Sequence, residues 1–200
     1  MLLAAGLIDD IDAGDAAARP ASHKRASRRR RLEAVLLIAG QPLPLGKLAK
    51  LAGLADATEA RALVRELSQA YDTRGAAFSV CAVAGGYQLL TRSKLAPWVE
   101  RFAGGSQAPR LSPPVIETLA IVAYRQPVLR VEVEAIRGVH CGEVLRQLMQ
   151  RELLRIVGRS AELGRPLLYG TTGRFLQLYG LRSLADLPRF AELRRPNDAA

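Results

Sequence analysis

The sequence predicts a mainly α chain with small β-wings (α+β), built as two tandem winged helix-turn-helix domains after a disordered N-terminal tail. Three observations lead there: an internal repeat, an abrupt onset of helical periodicity at Leu32, and a hairpin signal closing each repeat. The repeat lays Leu32, Glu33, Ala39, Gln41 and Pro42 on Ile116, Glu117, Ala123, Gln126 and Pro127, with Arg125 the single inserted residue. It continues as Leu48, Leu51, Gly53 and Leu54 fall on Val133, Ile136, Gly138 and Val139, an offset of 84 and then 85 residues. Such an offset is too long for a solenoid and fits two small related domains. We place them at residues 32–105 and 106–188, between a tail at 1–31 and a flexible C-terminal tail at 189–200.

Before Lys24 the tail is rich in Ala, Asp and Gly and without period, and its last eight residues, Lys24 to Arg31, hold six cations. Too little apolar surface is present to offset the entropy of ordering, so disorder is expected. On a flexible tail, Arg28, Arg29, Arg30 and Arg31 would touch phosphates weakly and non-specifically, with a steep salt dependence. A solubilising extension accounts for the same run.

In the first repeat a helix over Leu32 to Ala39 cannot pass Gly40 and Pro42. A second spans Leu45 to Ala52, with Leu45, Leu48, Ala49 and Leu51 inward, and Gly53 ends it. The third runs from Thr58 to Tyr71: Asp56 and Glu59 have capping-box spacing, and Ala60, Leu63, Val64, Leu67 and Tyr71 form one stripe. Phe78 to Val83 and Tyr87 to Thr91 flank Gly85-Gly86, a hairpin signal. Leu95 to Phe102 reads as a short helix whose Trp98 and Phe102 are expected to pack on their own domain, and 104–109 reads as a linker.

The second repeat follows the same order. Ser112 and Pro113 are N-cap and N1 of a helix to Tyr124. Arg130 to Ile136 is the second helix, closed by Gly138, and Glu143 to Glu152 the third. Leu154 to Arg159 and Pro166 to Gly170 form a hairpin around a longer loop, and a last amphipathic helix covers Thr172 to Tyr179. Helix, turn, helix and wing make a winged helix-turn-helix.

The chain has 29 Lys and Arg against 19 Asp and Glu, a formal charge of +10. That total suggests nucleic acid, yet the predicted third helices hold little of it. From Asp56 to Asp72, Arg61 and Arg65 face four carboxylates; from Gly142 to Arg155, Arg146, Arg151 and Arg155 face Glu143 and Glu152. A winged helix that reads DNA needs cations or base-reading groups on that helix. Catalysis finds no P-loop, G-x-S-x-G, H-E-x-x-H or carboxylate pair. His140 and Cys141 stand at a predicted helix start, where a thiol pKa can fall, but no orienting third group is identifiable. No enzyme activity, cofactor or metal is expected, and no apolar run is long enough to span a bilayer. A cytoplasmic protein is expected. Tyr124, Arg125, Pro127, Arg165, Leu167 and Tyr169 combine Arg, Tyr and Pro in turn and edge positions, the mix that anchors protein interfaces; ordinary turn chemistry is the competing account.

The second repeat resembles the bacterial segregation and condensation protein B family. The similarity lies in Leu111 to Pro127 (L-S-P-P-V-I-E-T-L-A-I-V-A-Y-R-Q-P), Glu134 to Val139, Val144 to Leu148, Gly164 to Thr172 and Leu181 to Pro188, and extends in pattern from Leu32. The resemblance implies tandem winged helices, homodimerisation largely through the first, and binding to the kleisin, segregation and condensation protein A. The kleisin bridges the structural maintenance of chromosomes ATPase, so the resemblance implies a non-catalytic subunit acting in chromosome condensation, segregation and cell division, cytoplasmic and nucleoid-associated. Tyr124, Arg125, Pro127, Arg165, Leu167 and Tyr169 are then expected to line the kleisin site. Where the family tends to have R-G-V-N-S, this chain has Arg137-Gly138-Val139-His140-Cys141. The alternatives are a tandem winged-helix DNA-binding transcriptional regulator and an RNA-associated adaptor using the basic tail.

Overall fold

The computed structural model describes residues 21–102 and 111–188. Within them lie eight α-helices and two small antiparallel sheets, over two separate hydrophobic cores. The first core gathers α1 (Ala21–Ala39), α2 (Leu45–Ala52) and α3 (Ala57–Thr73) under a hairpin of β1 (Phe78–Val83) and β2 (Gly86–Thr91). A single 3-10 turn (Ser93–Leu95) leads into α4 (Ala96–Phe102).

The breakers act as the sequence suggests. Gly53 closes α2 in the left-handed region (φ 61) with its N–H turned back on Lys50, a conformation cheap only for glycine. Asp56 caps α3 by accepting the Glu59 N–H at 2.7 Å, while the Glu59 carboxylate accepts the Ala55 N–H at 2.8 Å. The β1–β2 turn is the two residues Ala84 and Gly85, both at positive φ (49° and 72°); this is the mirror-image geometry whose twist suits a tight hairpin. Gly86 therefore belongs to the strand rather than the turn.

The second core is formed by α5 (Pro113–Arg125), β3 (Val128–Leu129), α6 (Arg130–Arg137), α7 (Gly142–Gln150), β4 (Leu154–Arg159), β5 (Leu167–Thr171) and α8 (Gly173–Leu178). Pro113 stands at the first helical position of α5, but the Ser112 hydroxyl makes no capping bond. The sheet has the order β3-β5-β4. Strand β3 escaped the sequence reading because two residues show no period. The repeat is visible here too: Leu43 bridges Tyr87 in the first core, and Val128 pairs with Tyr169 in the second. Leu43 and Val128 each follow the repeated Gln-Pro pair.

Two expectations are corrected, and a possibility that the sequence raised and set aside is closed. The tail held to be disordered as far as Arg31 is helical from Ala21, as the N-terminal part of α1. The reason lies in α3: the Arg25 guanidinium bonds the Glu66 carboxylate, and Arg28 bonds Glu59 at 2.7 Å. Composition within the tail could not reveal partners some 30 to 40 residues away. Residues 1–20, residues 103–110 with the expected linker 104–109, and the C-terminal tail 189–200 lie outside the described residues. Trp98 and Phe102 do not pack on their own domain; they are 63% and 95% exposed. Cys141, finally, is buried in the second core, and burial, then the Glu134 charge, pushes its thiol pKa up, against the activated thiol considered from sequence.

Candidate partner-binding site

Helix α5 ends at Arg125, where Gln126 leaves the helical region before Pro127, and β3 follows at once, paired along β5. Gln126 holds that junction. Its Nε2 donates to the Ala123 carbonyl and the Thr171 hydroxyl, both at 3.0 Å, and its Oε1 accepts the Thr171 N–H at 2.8 Å. Gly170 is required beside it, since a Cβ there would sit 2.7 Å from Val157 and 3.0 Å from the Gln126 Oε1.

Beside this junction, the segment after α8 folds back. Gly180 (φ 66) turns the chain, the Leu181 N–H returns to Leu176 at 2.8 Å, and the Asp186 carboxylate accepts the N–H groups of Arg182 and Ser183 at 2.8 and 3.1 Å. Leu181 and Leu187 pack on the core, and the Tyr124 hydroxyl donates to the Pro188 carbonyl at 2.8 Å. Between α5 and this segment lies an open groove of about 510 Å³, lined by Ala123, Tyr124, Gln126, Leu184, Ala185, Leu187 and Pro188. Its lining combines apolar side chains with the Gln126 amide and the phenol of Tyr124.

The structure brings only part of the sequence-predicted set to this groove. Tyr124 lines it. Arg125 and Pro127 are exposed at the helix end and turn next to it. Tyr169 is 8% exposed and belongs to the core, as its pairing with Val128 dictates. Leu167, two residues earlier on β5, is half-buried against the same core. Arg165 sits outside the strands, at positive φ (46°) in the loop before β5, where its carbonyl accepts from the Arg159 guanidinium at 3.4 Å. The reading from sequence missed Gln126 and the Leu184 to Pro188 wall. The signal for the wall was available, because the L-R-S-L-A-D-L-P stretch is among the residues that carry the family resemblance.

The turn Arg137 to Cys141 is a structural element of this half. Glu134 accepts the Cys141 N–H at 3.1 Å, and that bond, with Arg130 and His140 nearby, holds its carboxyl below the usual range. The Arg137 side chain is 9% exposed and reaches Glu117 at 3.4 Å, while its Nε is buried without a partner. His140 is fully exposed. Among the described residues no His, Cys, Asp or Glu cluster could hold a metal, and no helix is long and apolar enough to cross a membrane.

The basic run is divided by its own helix. Arg25 and Arg28 are engaged by α3, and Arg29 is half-buried. Arg30 and Arg31 are exposed, the latter with a guanidinium Nη 3.2 Å from where a Cβ on Gly53 would lie.

Comparison with known proteins agrees with the resemblance. The family model described as segregation and condensation complex subunit ScpB matches residues 30–190. The segregation and condensation protein B of Syntrophotalea carbinolica is 44% identical over 171 residues, 84% of this chain and 86% of that protein. That of Moorella thermoacetica is 44% identical over 159 residues, 78% and 80% of the two chains. Among solved structures, ScpB from Mycobacterium tuberculosis shares 32% identity over 78% of this chain and 97% of its own, with a TM-score of 0.38. A dimer of an ScpB N-terminal domain complexed with an ScpA peptide shares 26% over 40% of this chain and 98% of its own, with a TM-score of 0.36. A family match spanning both halves, and relatives above 40% identical over most of the chain, establish that this protein belongs to the segregation and condensation complex subunit ScpB family.

Proposed function

We infer that the protein is a non-catalytic subunit of a condensin-like chromosome segregation complex. In this reading it is a homodimer that binds the kleisin, segregation and condensation protein A, and acts through it with the structural maintenance of chromosomes ATPase. The observation that carries the reading is the match to the ScpB family over residues 30–190, which takes in both cores. The same reading places the protein in the cytoplasm, associated with the nucleoid.

Each half is then a winged helix-turn-helix domain. The order of three helices followed by a hairpin, found twice, supports it, as does the strand or bridge added after each Gln-Pro pair. The first domain, assigned to dimerisation, begins with α1 at Ala21 rather than at Leu32; the second, assigned to the kleisin, reaches Pro188. The kleisin segment is assigned to the groove between α5 and residues 184–188, with Tyr124, Leu184 and Leu187 as apolar contacts and Arg125 and Pro127 at the rim. Arg165, Leu167 and Tyr169 serve the hairpin that supports it. An amphipathic segment seated there uses the helix-in-groove or strand-addition physics common to peptide recognition.

Titration calorimetry with purified kleisin tests the reading. Tyr124→Ala combined with Leu184→Ala should weaken binding at least tenfold while the thermal midpoint stays near that of the parent, and Arg165→Ala should leave affinity within twofold. Unchanged capture by a folded Tyr124→Ala, Leu184→Ala variant would remove the groove assignment. A monomer by light scattering at micromolar concentration would remove the dimer.

A further inference from the structure

The described part of the first half, residues 21–102, holds fourteen Lys and Arg against six Asp and Glu. The fold pairs some of these cations and leaves others, Arg30, Arg61, Arg65, Arg74, Lys94 and Arg101 among them, exposed without an ion pair to a described residue. Toward α3, the α1 cations meet carboxylates, Arg25 on Glu66 and Arg28 on Glu59, and Glu33 accepts the Tyr71 hydroxyl at 2.6 Å. Among the described residues, Lys24 and Arg31 of the same helix meet none. Lys24 and Arg31 lie seven residues apart, on one face of α1 and about 10 Å along its axis, with the small Ser27 on the same face between them. Arg31 reaches across to Gly53, the C-cap of α2. Lys47 and Lys50 stand on the same face of α2, about two turns and one turn before that glycine respectively. All four cations are exposed, and none forms an ion pair with a described residue. Helix α2 contains no acidic residue, and the nearest carboxylate in sequence, Asp56, is engaged in capping α3.

We propose that Lys24, Arg31, Lys47 and Lys50 form a continuous cationic track across α1 and α2 that docks on the phosphate backbone of duplex DNA without reading its sequence. Charge complementarity selects the occupant. A duplex strand presents a phosphate about every 3.4 Å along its axis, so cations one or two helical turns apart, strung over two helices, can each meet a phosphate without any base contact. The third helix, where a winged helix would read bases, contributes nothing to the track, and its Glu59 and Glu66 are masked by Arg28 and Arg25. The contact holds the subunit on DNA irrespective of sequence and leaves the groove of the other half available. It stands apart from the kleisin reading and does not depend on it. It also revises the expectation for Arg28 to Arg31: Arg28 belongs to the fold, and Arg31 alone of the four lies on the track.

The test is fluorescence anisotropy of a labelled 30-base-pair duplex with the full chain, across a salt series. Lys24→Gln, Arg31→Gln, Lys47→Gln and Lys50→Gln together should cut affinity at least tenfold at low salt and reduce the slope of log K on log salt by roughly 3 to 4. A control removing four cations of the second half, Arg146→Gln, Arg151→Gln, Arg155→Gln and Arg159→Gln, should leave the slope within about 1 of the parent. The double variant Lys47→Gln, Lys50→Gln, which touches two exposed side chains only, should show about half the slope change and guards against a misfolded quadruple variant. The proposal is overturned if the parent chain does not bind the duplex, if the control loses as much as the track variant, or if vesicles of anionic lipid are bound and the duplex is not. Kleisin capture by the track variant should be unchanged; its loss would assign these side chains to the complex instead.

Discussion

The amide of Gln126 is wired to Thr171: one side chain accepts the Thr171 N–H at 2.8 Å and donates to the Thr171 hydroxyl at 3.0 Å. Thr171 is buried and closes β5, so its polar groups have no solvent to fall back on. This pair joins the end of α5 to the hairpin and holds one wall of the candidate groove in place. Gln126→Ala leaves the buried Thr171 N–H without its acceptor and should cost about 1 to 3 kcal/mol. Urea unfolding measures it, as a lower midpoint at unchanged slope. Kleisin affinity should fall with it, because the groove loses both a lining residue and its anchor.

Gly86 and Gly46 make a paired test of where glycine is required. A Cβ on Gly86 would lie 2.7 Å from the Leu43 carbonyl carbon and 2.9 Å from its N and O. It would push apart the two backbone bonds of 2.9 Å that join Leu43 and Tyr87. Gly86→Ala should therefore destabilise by about 2 to 3 kcal/mol. Gly46 lies in α2 with nothing within 4 Å of its would-be Cβ, so Gly46→Ala should stabilise by about 0.5 kcal/mol or somewhat more. Thermal or urea unfolding of both variants should give opposite signs.

These positions show what the sequence could and could not disclose. The bounds of α2 were legible because Gly53 marks its end, and Leu48 and Ala49 are buried as expected, but Leu51, expected inward, is 54% exposed and Ala52 is buried in its place. Strand β4 was legible as a whole. The repeat was legible as a register of Gln-Pro pairs, but not the strand it nucleates, since Val128 and Leu129 are too few to alternate. The start of α1 was hidden because Glu59 and Glu66, the carboxylates that dock it, lie far along the chain. The groove was half legible: Tyr124 announced itself as an aromatic at a helix end, whereas Leu184 and Leu187 meet it only through the turn at Gly180. Tyr169 was misassigned to a surface because a lone aromatic beside an exposed turn gives no sign of which face of the strand it occupies.

Glu134 supplies a pH dependence with a definite sign. The Cys141 N–H, and to a smaller extent Arg130 and His140, favour its ionised form and lower its pKa from the ordinary 4.5. A carboxyl whose folded pKa is depressed contributes stability that is present above the unfolded value and is lost as pH falls through the folded one. The thermal midpoint should therefore drop as pH is lowered from about 6 to about 3, and Glu134→Gln should flatten that drop while lowering the midpoint at neutral pH. Glu59, depressed chiefly by the Ala55 N–H and then by Arg28, adds in the same window, so the quantity to compare is the difference between parent and variant curves. Equal acid sensitivity of the two would show that Glu134 is not linked to folding.

Cys141 and Cys81 give a direct reading of the second core. Cys141 is 1% exposed among Val133, Leu145 and the rest of that cluster, and its thiol pKa is raised by burial and by the Glu134 charge. Cys81 is half-buried on β1. Thiolate fraction and access together set the rate of thiol modification, so a disulfide reagent at pH 8 should modify Cys81 quickly and Cys141 only through opening of the second half. The ratio of the two rates then reports the stability of that half. Gln126→Ala should speed the slow phase and leave the fast one unchanged, and Gly86→Ala should do the reverse if the two cores open independently. A single shared change in both phases would mean that the two halves open as one cooperative unit, for which the bonds from the Ala84 and Gly85 N–H groups to the Leu181 and Arg182 carbonyls, at 2.8 and 2.9 Å, provide the physical connection.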